Sequence, residues 1–138
     1  MPRIMKMNPV VHFEMPAGDK KRAEKFYETA FGWKMTLPGP EMGDYLLAGT
    51  TPVDKNNMAI NPGAINGGFF NKGEYGSIPH FVISVDNLKK HIGIVKKNGG
   101  KITGKPMEIQ GIGMFVMFRD TEGNNVGMLQ PSMQQPQK

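Results

Sequence analysis

A chain of 138 residues is long enough for one domain with a buried core, and it contains no apolar run of the ~18 residues that a membrane-spanning helix needs. The absence of cysteine excludes disulfides, thiol catalysis and cysteine-held zinc or iron–sulfur centres. Lys and Arg outnumber Asp and Glu by 17 to 12, but the resulting charge of +5 is dispersed, with no recognition-helix pattern or RNP-type aromatic run, so no nucleic-acid partner is expected.

Met1 to Met7 lack a signal-peptide hydrophobic segment and read as a loose arm; a cytoplasmic location and no membrane partner are the expectation. Val10–Met15 is a β-prone run closed by Pro16-Ala17-Gly18. Asp19 is placed to cap a helix whose apolar stripe is Ala23, Phe26, Tyr27, Ala30 and Phe31, and Gly32 stops it. Strands are predicted at Trp33–Leu37, ended by Pro38-Gly39-Pro40, and at Tyr45–Ala48. Residues 50–63 read as a surface loop with a short strand at Asn57–Ile60. Ala64–Phe70 is a strand interrupted by Gly67-Gly68, a pattern that marks a bend or a close approach to the backbone. Residues 71–79 form the only credible linker.

The same order then returns. Sliding the chain by 68 residues brings His12-Phe13 onto His80-Phe81, Asp19 onto Asn87, Gly32 onto Gly100, Pro38 onto Pro106 and Gly43 onto Gly111. These coincidences fall at a strand start, a helix cap, a helix stop and a turn, which points to duplication. In the second copy Phe81–Val85 is a strand and Leu88, His91, Ile92 and Val95 form the helical stripe, with Gly93 weakening the helix. Asn98-Gly99-Gly100 ends it, and Lys101–Thr103 is a short strand. A loop at 104–113, a strand at Met114–Arg119, a turn at 120–124 and a last strand at Val126–Gln130 follow, with 131–138 as a flexible tail. One α+β domain made of two β-α-β-β-β half-units, 9–70 and 79–130, is predicted.

The candidates for chemistry are few. His12 and His80 occupy equivalent strand starts, which gives them a stronger claim on a pocket than a lone histidine would have. Glu14 follows His12 by two residues and so shares its sheet face. Tyr45 is a further pocket candidate, and Met58, Met114 and Met128 are expected to give such a pocket a soft apolar lining. His91 and Trp33 read as packing residues. No Ser/His/Asp order, phosphate loop or dinucleotide glycine run is present.

The run from His12 through Asp19-x-x-x-Ala23-x-x-Phe26-Tyr27 to Phe31-Gly32-Trp33 resembles the first half of the vicinal oxygen chelate superfamily. That superfamily comprises glyoxalase I, bleomycin-resistance proteins and extradiol dioxygenases. His80-Phe81, Val85-Asp86-Asn87-Leu88 and the turn Asp120–Asn124 resemble the second half. Gly67–Phe70 and Pro106–Ile109 are similar to a glyoxalase-like subgroup, and the likeness covers residues 8–132. It implies a curved eight-stranded mixed sheet around a cup, a small-molecule ligand and a homodimer. It also implies a divalent metal (zinc, nickel, iron or manganese) held from the first and last strands of each unit. His12 and His80 match the first-strand positions. The last-strand acid falls on Gly127, and in the other unit near Asn66 or Gly67, so both carboxylates are missing. Glu14 is the substitute at hand and Glu74 a more remote one. The expectation is a protein with an incomplete metal site that binds or sequesters a small molecule. The alternative is a metal-dependent lyase, isomerase or dioxygenase-type enzyme using His12, His80 and Glu14, since non-haem iron chemistry wants two histidines and a carboxylate. On the first reading, Gly127→Glu is expected to add a ligand.

Overall fold

The computed structural model describes residues 6–37, 45–56, 58–74, 76–109 and 111–132. The Pro38-Gly39-Pro40 stop and residues 133–138 of the expected tail lie outside them, whereas Pro131 and Ser132, also expected in the tail, are held by the last strand and by a bond from the Ser132 amide to the Ile112 carbonyl. The elements are β1 (Val10–Ala17), α1 (Lys20–Phe31), β2 (Lys34–Thr36), β3 (Leu46–Gly49) and β4 (Asn66–Asn71), then β5 (His80–Ser84), α2 (Leu88–Lys97), β6 (Lys101–Ile102), β7 (Met107–Ile109), β8 (Gly113–Arg119) and β9 (Asn125–Pro131).

Both helices begin where the sequence places their caps. The Asp19 carboxylate accepts from the Arg22 amide at 3.0 Å, and the Asn87 side chain accepts from the Lys90 amide at 2.9 Å. Each satisfies a first-turn donor that has no partner within its helix. Gly32 ends α1 with φ 70°, a left-handed conformation cheap only for glycine. The Leu88 amide at the start of α2 donates to Gln130 Oε1 at 2.8 Å, tying the helix to β9.

The chain forms two compact units, one of residues Val11–Phe81, the other of Val82 onward with the segment through Val10. In the first, β1 runs parallel to β4, and β4, β3 and β2 follow antiparallel. In the second, β5 runs parallel to β9, and β9, β8 and β6 follow antiparallel. The fold class is therefore α+β with mixed strand pairing, built on a βαβββ unit used twice. One strand is additional. β7 pairs with β8 inside the segment expected to be a loop, because Gly111 at φ 81° and an Ile112 amide bonded to the Ile109 carbonyl close a tight hairpin there. In the loop at 50–63 the strand expectation reduces to a single bridge, Val53 to Ala59. The arm is less loose than expected where it is described: the Pro9 carbonyl accepts from the Ser84 amide at 2.9 Å and Lys6 pairs with Asp86.

Period-two alternation gives the strands of each unit a helix-covered face and an opposite face. In the first unit Ala17, Met35, Leu46, Ala48 and Phe69 form the core, joined by Phe13, Met15, Ala23, Tyr27 and Trp33. The α1 stripe does not bury as a whole. Tyr27 stacks on Trp33 at 4.6 Å, whereas Phe26 and Phe31 stay 55% and 62% exposed. In the second unit Val85, Leu88, Val116, Phe118, Val126 and Met128 form the core, with Ile92, Val95 and Met114 against it.

Candidate functional site

The residues on the face of the first unit opposite its helix are those with chemistry. β1 contributes His12 and Glu14 on one side of its pleat, and β4 contributes Asn66, Gly68 and Phe70 at the same parity, opposite them in register. Tyr45 precedes β3, and its ring lies over Gly68, so closely that a Cβ there would overlap the ring and its hydroxyl. The interrupted glycine pair in β4 therefore marks the approach of two rings. Gly67 makes room for Phe13 on the core side, and Gly68 for Tyr45 on the other.

The polar groups form one hydrogen-bonded chain. His80 Nε2 lies 2.6 Å from Glu14 Oε1. The Tyr45 hydroxyl donates to Glu14 Oε2 at 3.0 Å and sits 3.0 Å from His12 Nε2. The Tyr45 hydroxyl has a single proton, and Glu14 receives it, so His12 Nε2–H donates to the phenol oxygen. Glu14 Oε1 likewise accepts from His80 Nε2–H. This network puts a proton on Nε2 of each imidazole, so that in the neutral ring the lone pair is on Nδ1. Phe70 stacks on the His80 ring at 5.3 Å and fixes its plane. The His80 side chain is 1% exposed, and its Nδ1 has no hydrogen-bond partner, alone among the buried side-chain atoms described. An unsatisfied buried group of this kind costs on the order of 1–3 kcal/mol.

His12, Glu14, Tyr45 and His80 are thus brought together. Met114 and Met128 are not. Met128 is 1% exposed in the core beneath α2, and Met114 packs against that same cluster, so neither lines a cup. The reason is parity: Gly127 and Met128 are adjacent in a strand and cannot share a face. Met58 is 63% exposed on its loop.

The last-strand positions are corrected too. Val82 and Met117 both face Gly127 in register, as Glu14 and Leu47 both face Gly68. The counterpart of Gly127 is therefore Gly68, rather than Asn66 or Gly67. Asn66 instead anchors the turn after β3, where its side-chain oxygen accepts from the Thr50 and Thr51 amides at 2.7 and 3.0 Å. An aromatic ring covers both glycines. Tyr45 lies over Gly68, and Phe115 lies 2.7 Å from where a Gly127 Cβ would be, with Val82 at 3.1 Å. Phe115 occupies the place in its unit that Tyr45 holds in the first. A Gly127→Glu side chain therefore meets the buried Phe115 ring, and the expectation that it simply adds a ligand does not hold.

A divalent metal does not fit this donor set. Both Nε2 atoms already have partners, Glu14 is held on each oxygen, and both last-strand positions are glycines roofed by rings. Among the described residues no group of three or more His, Asp or Glu side chains converges for a metal.

Burial holds the His12 imidazole below its ordinary 6.5; the nearby Glu14 opposes this, and His80 adds to it. As pH falls below about 6.5 the unfolded chain takes up this proton before the folded one does. The contribution is complete above the unfolded value and is lost as pH falls toward the lowered folded value. The melting temperature should therefore drop on acidification, and His12→Gln should flatten that part of a profile measured from neutral to mildly acidic pH. An unchanged profile in the variant would show that His12 carries none of it.

The family model for the Glyoxalase/Bleomycin resistance protein/Dioxygenase superfamily matches residues 10–128. A glyoxylase-like domain-containing protein of Didymella fabae is 39% identical over 118 residues, 80% of this chain and 84% of that protein. The chain belongs to this superfamily. Among solved structures it is similar to methylmalonyl-CoA epimerase from Mycobacterium tuberculosis, with a TM-score of 0.63 and 12% identity, covering 90% of this chain and 88% of that one. A superfamily member from Vibrio splendidus 12B01 gives a TM-score of 0.56 at 12% identity, covering 88% and 97%. At such identities these structures share the fold alone. No helix among the described residues is long and apolar enough to cross a membrane.

Proposed function

We propose that this protein binds or sequesters a small molecule without a resident metal, on the face that carries His12, Glu14, Tyr45 and His80. The observation behind this reading is that Glu14, the one carboxylate near the two histidines among the described residues, is bonded on both oxygens, to His80 and Tyr45. A ligating carboxylate would have to leave both. The fully linked chain instead makes a fixed polar floor, with Phe70 stacked beside it. A cytoplasmic homodimer is part of the same reading, and the exposed Phe26 and Phe31 on α1 support the pairing.

Metal dependence decides it. Protein purified without chelator should carry substoichiometric zinc, nickel, iron and manganese, and its melting temperature should not change with chelator or added metal. His80→Ala should destabilise the fold, because it leaves a buried carboxylate short of a donor, and by the same amount with and without chelator. Stoichiometric metal that is lost on mutating either His12 or His80 would overturn the reading in favour of a metal-dependent enzyme with Glu14 as third ligand.

A further inference from the structure

We propose that His80 Nδ1 is the ligand-recognising atom of this face, and that the ligand class is a flat, weakly acidic hydroxyl compound, a phenol or an enol. The proposal rests on the small-molecule reading above and names what that site selects.

Three features converge on this atom. Its partner nitrogen is committed to Glu14 at 2.6 Å, which in the neutral ring makes Nδ1 an acceptor on the side away from the carboxylate. The ring cannot turn to exchange the two nitrogens without losing that bond and its stacking on Phe70. The side chain is 1% exposed, yet Nδ1 has no partner among the described residues, while every other polar atom of the chain from His12 to Glu14 that this network uses is bonded. An acceptor without a partner, in a buried and aromatic setting, selects a donor that costs little to desolvate. A neutral hydroxyl meets that condition; an ammonium group does not. An aromatic or conjugated body suits the flat surroundings that Phe70 and the Tyr45 ring over Gly68 provide.

A weakly acidic hydroxyl can go further than donating. If its proton passes to Nδ1, the O–H bond breaks, an N–H bond forms, and the electron pair stays on the ligand oxygen. The resulting imidazolium lies between the ligand anion and the Glu14 carboxylate, with alternating charge. Glu14 is then a positioning residue that sets the tautomer, and Tyr45 and His12 hold Glu14 in turn.

The experiment compares 4-nitrophenol with 4-nitroanisole, which has the same shape but no acidic hydrogen, on the full chain at neutral pH. The phenol should bind at least about tenfold more tightly, the size of effect one hydrogen bond to a buried acceptor gives. His80→Gln should erase most of this preference while the anisole affinity stays the same. Because that variant touches the network, a second readout uses the unmodified protein. The ¹⁵N resonance of His80 Nδ1 should move from the unprotonated toward the protonated range on adding 4-nitrophenol and stay in place with 4-nitroanisole. Equal affinities for the two probes, or phenol binding without a change at Nδ1, would overturn the inference and leave the small-molecule reading standing; a buried water as the partner of Nδ1 would give this result. Binding of neither probe at millimolar concentration would overturn both.

Discussion

Glu14→Ala should destabilise the protein by about 3 kcal/mol, more than any single surface change. Glu14 is 7% exposed, and two donors converge on it. Its removal strands His80 Nε2–H and the Tyr45 hydroxyl together and opens a small cavity between them. Glu14→Gln should cost far less, about 1 kcal/mol, because the chain can reverse on one side. The amide oxygen still accepts from His80. The amide N–H then donates to the Tyr45 oxygen, the Tyr45 proton turns to His12 Nε2, and His12 shifts its own proton to Nδ1. Urea unfolding of both variants with an unchanged m-value checks this. A Glu14→Ala variant as stable as the parent would mean that the four side chains are not linked in solution.

The parts of this arrangement that were legible in the sequence are those set by short-range rules. Asp19 and Asn87 cap their helices through their own side chains, and the period of two placed Glu14 beside His12. The duplication was visible because the strand-start histidines and the cap residues Asp19 and Asn87 recur at a fixed spacing, while the left-handed glycine that follows α2 is Gly99, one residue short of it. What escaped depends on pairing across strands. The partner of Gly68 in the other unit is Gly127, a relation set by register and not by the 68-residue shift. The segment 50–65 between β3 and β4 is longer than the turn 120–124 between β8 and β9, so the third and fourth strands are spaced differently in the two units and a single offset cannot align all of them. Strict use of parity would have separated Met128 from Gly127 and spared the misplacement of both methionines. The exposure of Phe26 and Phe31 was not legible, because a helical stripe states which residues share a face but not how much of it the sheet covers.

The comparison of the two units also shows where the polar groups are concentrated. Equivalent positions hold Glu14 and Val82, and Tyr45 and Phe115, around glycines at the same place. One unit keeps the polar version of the arrangement and the other an apolar version, in which Val82 and Phe115 are 1% and 4% exposed. The histidines His12 and His80 and the glycines are common to both copies, and His80 bonds to Glu14. A duplicated symmetric metal centre would need an acid in each last strand, whereas this chain fills the space above each glycine with a ring.

Gly68→Ala tests that roof directly and should cost about 3 kcal/mol. The added Cβ would overlap the Tyr45 ring at Cε2 and Cζ, so the ring must swing away. Overpacking of this kind costs about 1–3 kcal/mol, and the swing also weakens the bonds from Tyr45 to Glu14 and His12, at about 0.5–1.5 kcal/mol each. Three backgrounds separate the two contributions. With Tyr45→Ala already present the ring is gone, and Gly68→Ala should cost under about 1 kcal/mol, a coupling of roughly 2 kcal/mol. In Tyr45→Phe the ring stays but the hydroxyl does not, so the steric part should persist while the hydrogen-bond part vanishes, leaving Gly68→Ala at an intermediate cost. The same ranking should appear in the affinity for 4-nitrophenol if a displaced Tyr45 lets Glu14 shift away from His80. Additive costs in all three backgrounds would mean that Tyr45 does not cover Gly68. The polar chain would then lose the ring that orders its centre.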